Sequence, residues 1–274
     1  MRFARHALVF LALFTCTRRA APQSTPASSV SPADFPANWT TAGPGIRWRH
    51  TSVSDEGHVL DWIVVRFDLA SVTPSAEHTP DDHLAGLALD RRVLFAVDAG
   101  FFTEDLHPSG TLVSRGIDLG APDPHGGSGL LVIRSGHAEI LGSSAPLVRE
   151  PRVDLAVQCG PRLIERDGSV GIHRDDGRRF ARTGLCLRDG GRTLDVVVNW
   201  WRDDPLHGPG LLGFAQRLAA PSPVGDHAGC ESALNLDGGP STGIYVRNAP
   251  AASHDAIGPV PFALTVHDAP HASH

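Results

Sequence analysis

The sequence predicts an α+β fold: a single domain built on a mixed, mostly antiparallel β-sheet core with about two helices. Three observations lead to this prediction. Short segments rich in β-branched and aromatic residues are separated by glycine turns, few segments repeat apolar residues at helical spacing, and strands and helices do not alternate regularly. With 274 residues and 41% hydrophobic content, the chain is long enough to bury a core.

Residues 1–20 are predicted to be a signal peptide. A basic start precedes the apolar run 7–14, which is too short to cross a bilayer because a spanning helix needs about 20 residues. The sequence LFTC at 13–16 resembles a bacterial lipobox with Cys16 as the lipid-bearing residue, and ordinary cleavage near Ala20 is the alternative. We therefore expect an exported protein of the periplasm or cell envelope, attached to a membrane only through that lipid anchor.

Residues 21–38 are rich in Pro, Ser, Ala and Thr, which predicts a disordered tether and places the folded domain at 39–274. All 24 basic residues are arginines, and the formal net charge of −6 becomes about −10 without residues 1–20. A nucleic-acid partner is not expected, because phosphate neutralisation requires a positive face. The absence of lysine also excludes Schiff-base and P-loop chemistry, and it leaves arginine, histidine and backbone N–H groups to bind an anion.

The strands are predicted from runs of β-branched, aliphatic and aromatic residues that end at glycine-containing turns. The strongest run is HVLDWIVVRFD at 58–68, and order begins near Ile46. The predicted strands comprise 58–68, 93–97, 111–114, 129–134, 137–141, 155–159, 162–165, 182–187, 193–200, 233–236, 242–246 and 262–266.

Two helices are predicted. The first begins at Thr79, a typical N-terminal cap, with Pro80 in the first turn and an apolar stripe of Leu84 and Leu87. The second covers 210–220, where apolar residues recur at helical spacing.

Three cysteines follow the tether: Cys159, Cys186 and Cys230. In an oxidising compartment they form at most one disulfide, and burial among apolar residues is the simpler expectation for all three. The cysteines lack C-x-x-C spacing, and the loop histidines His107, His125, His173, His207 and His227 form no H-x-H or H-x-x-x-H pair, so zinc has weak support.

The segment LNLDGGPST at 234–242 is the most informative for function. Asp237 ends a predicted buried strand, and Gly238 and Gly239 allow backbone N–H groups to approach an anion closely. A plain turn is the alternative. A serine hydrolase centred on Ser241 is disfavoured, because the segment lacks the G-x-S-x-G elbow and its following helix.

Three further segments place polar groups at strand ends or breaks. Asp98 follows an apolar strand, Gln158 and Gly160 flank a break at a proline, and Arg182 begins a strand. A strand-terminating turn for Asp98 and a surface ion pair for Arg182 are the structural alternatives.

These segments, in this order, resemble the phosphodiester glycosidase family: DAGFF at 98–102, QCGPRL at 158–163, RTG at 182–184 and GCESALNLDGGPST at 229–242. The resemblance covers most of residues 45–266. Asp98 stands where the family usually has asparagine, Cys159 replaces a small residue, and Pro240 replaces a glycine and so removes one backbone N–H.

The resemblance implies cleavage of a small-molecule or glycan sugar-1-phosphodiester at the glycosidic C–O bond. It implies that Asp237 is the carboxylate that assists the oxocarbenium-like carbon or an attacking water, and that Asp98 is a second acid/base or a ligand of a substrate hydroxyl. The groups expected at phosphate or sugar are Arg182, Gly238, Gly239, Gln158, Gly160, Ser241, Thr242 and a stacking ring at Phe101 or Phe102.

Two alternatives remain. A non-catalytic envelope protein would bind a glycan or phosphorylated ligand in the same cleft, consistent with Pro240 and the acid at position 98. No cofactor is required by the sequence, but a calcium ion held by Asp98 and Asp237 is the other alternative.

Overall fold

The computed structural model describes residues 39–149, 151–220 and 229–268. The predicted signal peptide, Cys16 and the predicted tether lie outside these ranges. In these ranges, sixteen strands form three sheets and are accompanied by two α-helices and short 3-10 turns. Among the residues that the structure describes, no helix has the length and apolar character needed to cross a membrane.

A seven-stranded sheet forms the largest layer and has the order β1-β2-β3-β13-β12-β14-β11. The long hairpin of β2 and β3 and the valine-rich β13 make its middle, because their β-branched side chains suit a pleated surface. Its strands are β1 (Thr40–Gly43), β2 (Ile46–Asp55), β3 (His58–Asp68), β11 (Arg162–Ile164), β12 (Arg182–Arg188), β13 (Thr193–Trp201) and β14 (Ser232–Gly238).

A five-stranded sheet has the order β7-β6-β10-β8-β9, and a four-stranded sheet has the order β15-β5-β16-β4. The first consists of β6 (Leu112–Ser114), β7 (Ile117–Gly120), β8 (Gly129–Arg134), β9 (His137–Gly142) and β10 (Leu155–Cys159). The second consists of β4 (Ser75–His78), β5 (Val93–Asp98), β15 (Ile244–Val246) and β16 (Phe262–His267). The main core contains buried residues from all three sheets.

The second helix, α2 (Leu211–Ala219), confirms the helical spacing read at 210–220. It buries Phe214, Ala215 and Leu218 against one face of the seven-stranded sheet. Gly184 on β12 makes this packing close, since a Cβ there would lie 2.8 Å from the Phe214 ring. A disulfide on the same face joins Cys186 to Cys230, and Cys159 is a free buried thiol. The limit of one disulfide and the burial of all three cysteines are confirmed, and two of the buried cysteines are paired.

The predicted fold class is confirmed in its antiparallel, sheet-rich character and its two helices, but every strand pairing within the named sheets is antiparallel rather than mixed. The first helix is shorter than predicted. Pro80–Asp82 form a 3-10 turn, and α1 spans only Leu84–Leu87. Thr79 does not cap it, because its hydroxyl donates to the Val260 carbonyl oxygen and Asp81 has left-handed backbone angles.

Candidate active site

Asp237 lies near the end of β14, an interior strand between β12 and β11. The strand is buried through Leu236, and Asp237 is the first residue that is partly exposed. The Gly238 N–H donates to Asp237 Oδ1 at 2.8 Å. Burial raises the pKa of Asp237, and the Gly238 N–H and the Ser241 side chain oppose that rise.

Asp98 ends β5 in the four-stranded sheet and lies directly beside Asp237. Its Oδ1 accepts the Asp237 backbone N–H at 3.1 Å. Only 1% of Asp98 is exposed, so the side chain has almost no surface to offer a substrate. Burial and the neighbouring charge of Asp237 raise the pKa of Asp98 well above its ordinary value.

The turn after Asp237 engages its own N–H groups. The Gly239 N–H donates to the Ala181 carbonyl oxygen at 2.8 Å, and the Gly238 N–H is held by Asp237 as described above. Pro240 has no N–H to offer. A phosphate at this turn would therefore displace an internal acceptor, which differs from the open N–H cradle expected from the sequence.

Ser241 and Thr242 lie in the same turn and are both buried. The Ser241 hydroxyl donates to the Pro259 carbonyl oxygen at 3.1 Å. The Ser241 side chain also lowers the pKa of Asp237, against the effect of burial. The Thr242 hydroxyl has no hydrogen-bond partner among the described residues. Of the two, Ser241 is the one that the structure associates with the carboxylate.

Arg182 begins β12, and its backbone pairs with Gly238 on β14. Its guanidinium is buried, donates to the carbonyl oxygens of Pro209 at 3.2 Å and Arg178 at 3.5 Å, and lies 5.7 Å from the centre of the Phe180 ring. It forms no ion pair with a carboxylate of the described chain. Burial lowers the pKa of Arg182 to about 10, which keeps the group positive at neutral pH.

Phe180 extends this region toward solvent. The ring is 39% exposed and packs over Gly239, where a Cβ would lie 3.5 Å from its Cδ1. It also stacks on His207 with a centroid separation of 6.1 Å. This aromatic surface was not predicted from the sequence, although the position of Phe180 two residues before Arg182 was the available signal.

Gln158 and Gly160 serve the loops around the site. Gln158 Oε1 accepts the N–H groups of Thr111 and Asp123, and its Nε2 donates to the Asp123 carbonyl oxygen, so the amide is fully engaged in the protein. The Gly160 carbonyl oxygen accepts Asn235 Nδ2 at 3.1 Å. Both residues therefore stabilise loops near the site, and their hydrogen-bonding groups are engaged by the protein rather than directed at a ligand.

A small cleft runs along the loop that follows Asp98. Phe101 and Phe102 line it with Gln158 and Phe262, and its enclosed space of about 10 Å³ is roughly that of one water molecule. Gly100 has a φ of +111°, and a Cβ there would lie 3.2 Å from the Cys159 sulfur. The predicted stacking rings are therefore at a cleft wall, and the glycine and cysteine fix the loop behind it.

A buried polar row crosses the seven-stranded sheet and ends at Arg182. Strand register places Thr51 opposite Trp62, Trp62 opposite Asn199, and Asn199 opposite Arg182. Asn199 is completely buried, and neither of its amide atoms has a partner in the described part of the chain. No sequence motif signalled this row, because it depends on the register of four strands.

Metal ligands are not concentrated anywhere in the described structure. Within residues 39–149, 151–220 and 229–268, no group of three or more His, Cys, Asp or Glu side chains lies close enough together to hold an ion. Calcium usually takes six to eight oxygen ligands, so the two carboxylates alone fit it poorly.

Comparison with known proteins decides the family. The family model for phosphodiester glycosidases matches residues 91–267, a stretch that contains Asp98, Arg182 and Asp237. The chain belongs to the phosphodiester glycosidase family. No curated protein matches the sequence.

Three solved structures share this fold at low sequence identity. The catalytic domain of zebrafish N-acetylglucosamine-1-phosphodiester α-N-acetylglucosaminidase, auto-inhibited by its pro-peptide, matches with a TM-score of 0.62, 15% identity and coverage of 83% of this chain and 85% of that one. A hypothetical protein from Synechocystis matches with a TM-score of 0.61 and 16% identity. The match covers 82% of this chain and spans 62% of the length of that one. A Burkholderia pseudomallei protein named "Putative exported protein" matches with a TM-score of 0.52 and 14% identity. The match covers 77% of this chain and 74% of that one.

Proposed function

We propose that this phosphodiester glycosidase family member hydrolyses the glycosidic C–O bond of a sugar-1-phosphodiester to give a free sugar and a phosphate monoester. The observation that carries the proposal is Asp237, a partly exposed carboxylate near the end of an interior strand, backed by the buried acid Asp98. Family membership supports the reaction class.

The carboxylate suits this reaction because a phosphate monoester is already a good leaving group. Less general-acid assistance is needed than in ordinary glycoside hydrolysis. The enzyme instead has to stabilise an oxocarbenium-like carbon or activate the attacking water. Asp237 in its ionised form would do either.

Arg182 is our candidate for the departing phosphate. Its guanidinium is held by two carbonyl oxygens and no carboxylate of the described residues, so its charge is not neutralised by an internal ion pair. Its N–H groups can therefore meet an anion near the turn at Gly238, the residue with which Arg182 is paired. Phe180 beside it offers an apolar face to the group that the phosphate carries.

The site of action is inferred from the cysteines and the N-terminus. The Cys186–Cys230 disulfide is typical of proteins that fold outside the reducing cytosol. Together with the predicted signal peptide, it supports an exported protein acting on an envelope or extracellular phosphodiester. Attachment through Cys16 is part of this proposal.

The position of the cleaved bond tests the reaction. The purified protein would be incubated in 18O-water with a panel of sugar-1-phosphodiesters, beginning with the N-acetylglucosamine-1-phosphodiester named for the zebrafish protein. We expect the released phosphate monoester to carry no 18O, because cleavage of the C–O bond leaves the bridging oxygen on phosphorus and puts the water oxygen on the sugar. Label in the phosphate would show a P–O phosphodiesterase, and no turnover across the panel would contradict the proposed activity.

One observation favours the alternative of a non-catalytic binding protein. The consecutive residues Gly238, Gly239 and Pro240 offer no free N–H to a developing phosphate charge. If the panel is not turned over and a sugar phosphate raises the melting temperature, the binding protein is the better description.

A further inference from the structure

We propose that Asp98 is the protonated member of a carboxyl pair and acts as a positioning residue that keeps Asp237 ionised and in place. The catalytic part of this inference rests on the proposed function. The protonation part is a property of the folded protein, and it can be measured without a substrate.

The two side chains share an environment that cannot support two negative charges. Asp98 is 1% exposed, its Oδ1 accepts the backbone N–H of Asp237 at 3.1 Å, and the charge of the Asp237 carboxylate acts on it. No arginine or histidine of the described chain forms an ion pair with either carboxyl group. Because an uncompensated buried charge costs several kcal/mol, one of the two groups retains a proton over a wide pH range.

Exposure identifies which acid is neutral. Asp237 is partly exposed and accepts the Gly238 N–H at 2.8 Å, which favours a carboxylate. Asp98 is almost completely enclosed, and the effect of burial on its pKa exceeds that of the Asp237 and Gly100 N–H groups and the Thr183 hydroxyl beside it. Its Oδ2 is buried with no hydrogen-bond partner among the described residues. Placing the proton on Asp98 Oδ2 leaves the Asp237 N–H bond intact.

The other groups that face Asp98 do not change this assignment. Thr183 on β12 is the adjacent hydroxyl, and it does not titrate. Cys159 on β10 is near both acids, and burial raises the pKa of its thiol, so it stays neutral. Asp237 on β14 is therefore the one charged group facing Asp98 in the described structure.

A neutral Asp98 can be imitated by asparagine, which has the same shape and a carbonyl oxygen to accept the Asp237 N–H. Alanine removes that acceptor. Above the pH at which Asp98 ionises, a second negative charge would form beside Asp237. We therefore expect the wild-type protein to lose both stability and activity toward high pH.

The direct test measures stability as a function of pH for the wild type, Asp98→Asn and the exposed control Asp118→Asn. A carboxyl group that keeps its proton in the folded state supplies its full stability below the unfolded pKa of about 4 and loses it as pH rises to the folded value. We expect this decline in the wild type and in Asp118→Asn. The decline should be smaller in Asp98→Asn, where only Asp237, whose pKa burial also raises, still contributes to it, and Asp98→Asn should be the most stable of the three at neutral pH. Parallel curves for all three proteins would overturn the proposal.

The functional arm compares pH profiles of kcat/KM on a sugar-1-phosphodiester that the wild type cleaves. We expect Asp98→Asn to stay within about threefold of the wild type at its optimum and to lack the alkaline fall, while Asp98→Ala loses ~100-fold. A persistent alkaline fall in Asp98→Asn, or a loss equal to that of Asp98→Ala, would overturn the positioning role. If the wild type cleaves nothing, the proposed function fails, and the stability curves still decide where the proton resides.

Discussion

The backbone N–H of Asp237 donates to the side chain of Asp98, which lies 139 residues earlier in the chain, at 3.1 Å. This bond joins the end of β5 in the four-stranded sheet to the end of β14 in the seven-stranded sheet. The candidate site is therefore assembled between two sheets, with one acid supplied by each.

Replacing Asp237 by asparagine is expected to lower kcat by ~100-fold or more, because the amide cannot carry the negative charge that the transition state requires. Kinetics on a sugar-1-phosphodiester that the wild type cleaves would measure this. Asp118→Asn, in an exposed ion pair with Arg149, is the matched control and should match the wild type. Activity of Asp237→Asn equal to that of the control would remove Asp237 from the mechanism.

The acid side of the pH profile should report Asp237. Burial raises its pKa, so the ionised form is lost at a higher pH than for an exposed aspartate. We expect kcat/KM to fall as pH decreases through this raised value, while circular dichroism shows the protein still folded. An acid limb at the ordinary aspartate value of about 4 would contradict this assignment.

Arg182→Lys is expected to reduce kcat/KM by ~10- to 100-fold, because lysine cannot form the planar, two-point contact of a guanidinium with a phosphate. Arg178→Lys is the control, since its side chain is 74% exposed and only its backbone carbonyl contacts Arg182. Equal kinetics for the two variants would exclude a phosphate role for Arg182.

Chelation should leave activity unchanged. The described residues contain no cluster of three metal-ligating side chains, and Asp98 is almost fully enclosed. The measurement is activity after dialysis against EDTA, with and without added calcium. Loss that calcium restores would favour the calcium alternative instead.

Loss of the Cys186–Cys230 disulfide should cost about 4 kcal/mol, the value expected for closing a loop of some 45 residues. For a domain of this size, that corresponds to a melting temperature lower by about 8–16 °C. Reductant should reproduce the shift in the wild type and have no further effect on a Cys186→Ser, Cys230→Ser double variant. A reductant-sensitive double variant would show that the shift has another origin.

Strand boundaries could be predicted from local sequence where runs of apolar residues are dense. The boundaries of β3, β8 and β10 agree with prediction, because their β-branched and aliphatic residues have few other ways to be buried. β2 was not delimited, because its sequence IRWRHTSVSD lacks such a run: of its five buried residues, Arg49, Thr51 and Asp55 are polar or charged. β1, β4 and β7, of four residues each, were not predicted.

Some features of the candidate site could likewise be predicted from local sequence, and others could not. Asp98 and Asp237 were both predicted at strand ends, since an apolar run followed by an acid and glycine is a local pattern. The engaged amide of Gln158 and the row from Thr51 to Asn199 were not predicted. Both depend on contacts between segments far apart in sequence, and those contacts are set by strand register.

The disulfide also has a geometric consequence. Cys186 lies four residues after Arg182 on β12, and Cys230 lies seven residues before Asp237, just ahead of β14. A slip of one residue between two strands turns every side chain to the opposite face of the sheet. The crosslink therefore adds a covalent restraint against sliding of β14 along β12 at the end of the strand pair opposite Asp237, beside the backbone pairing that sets the register.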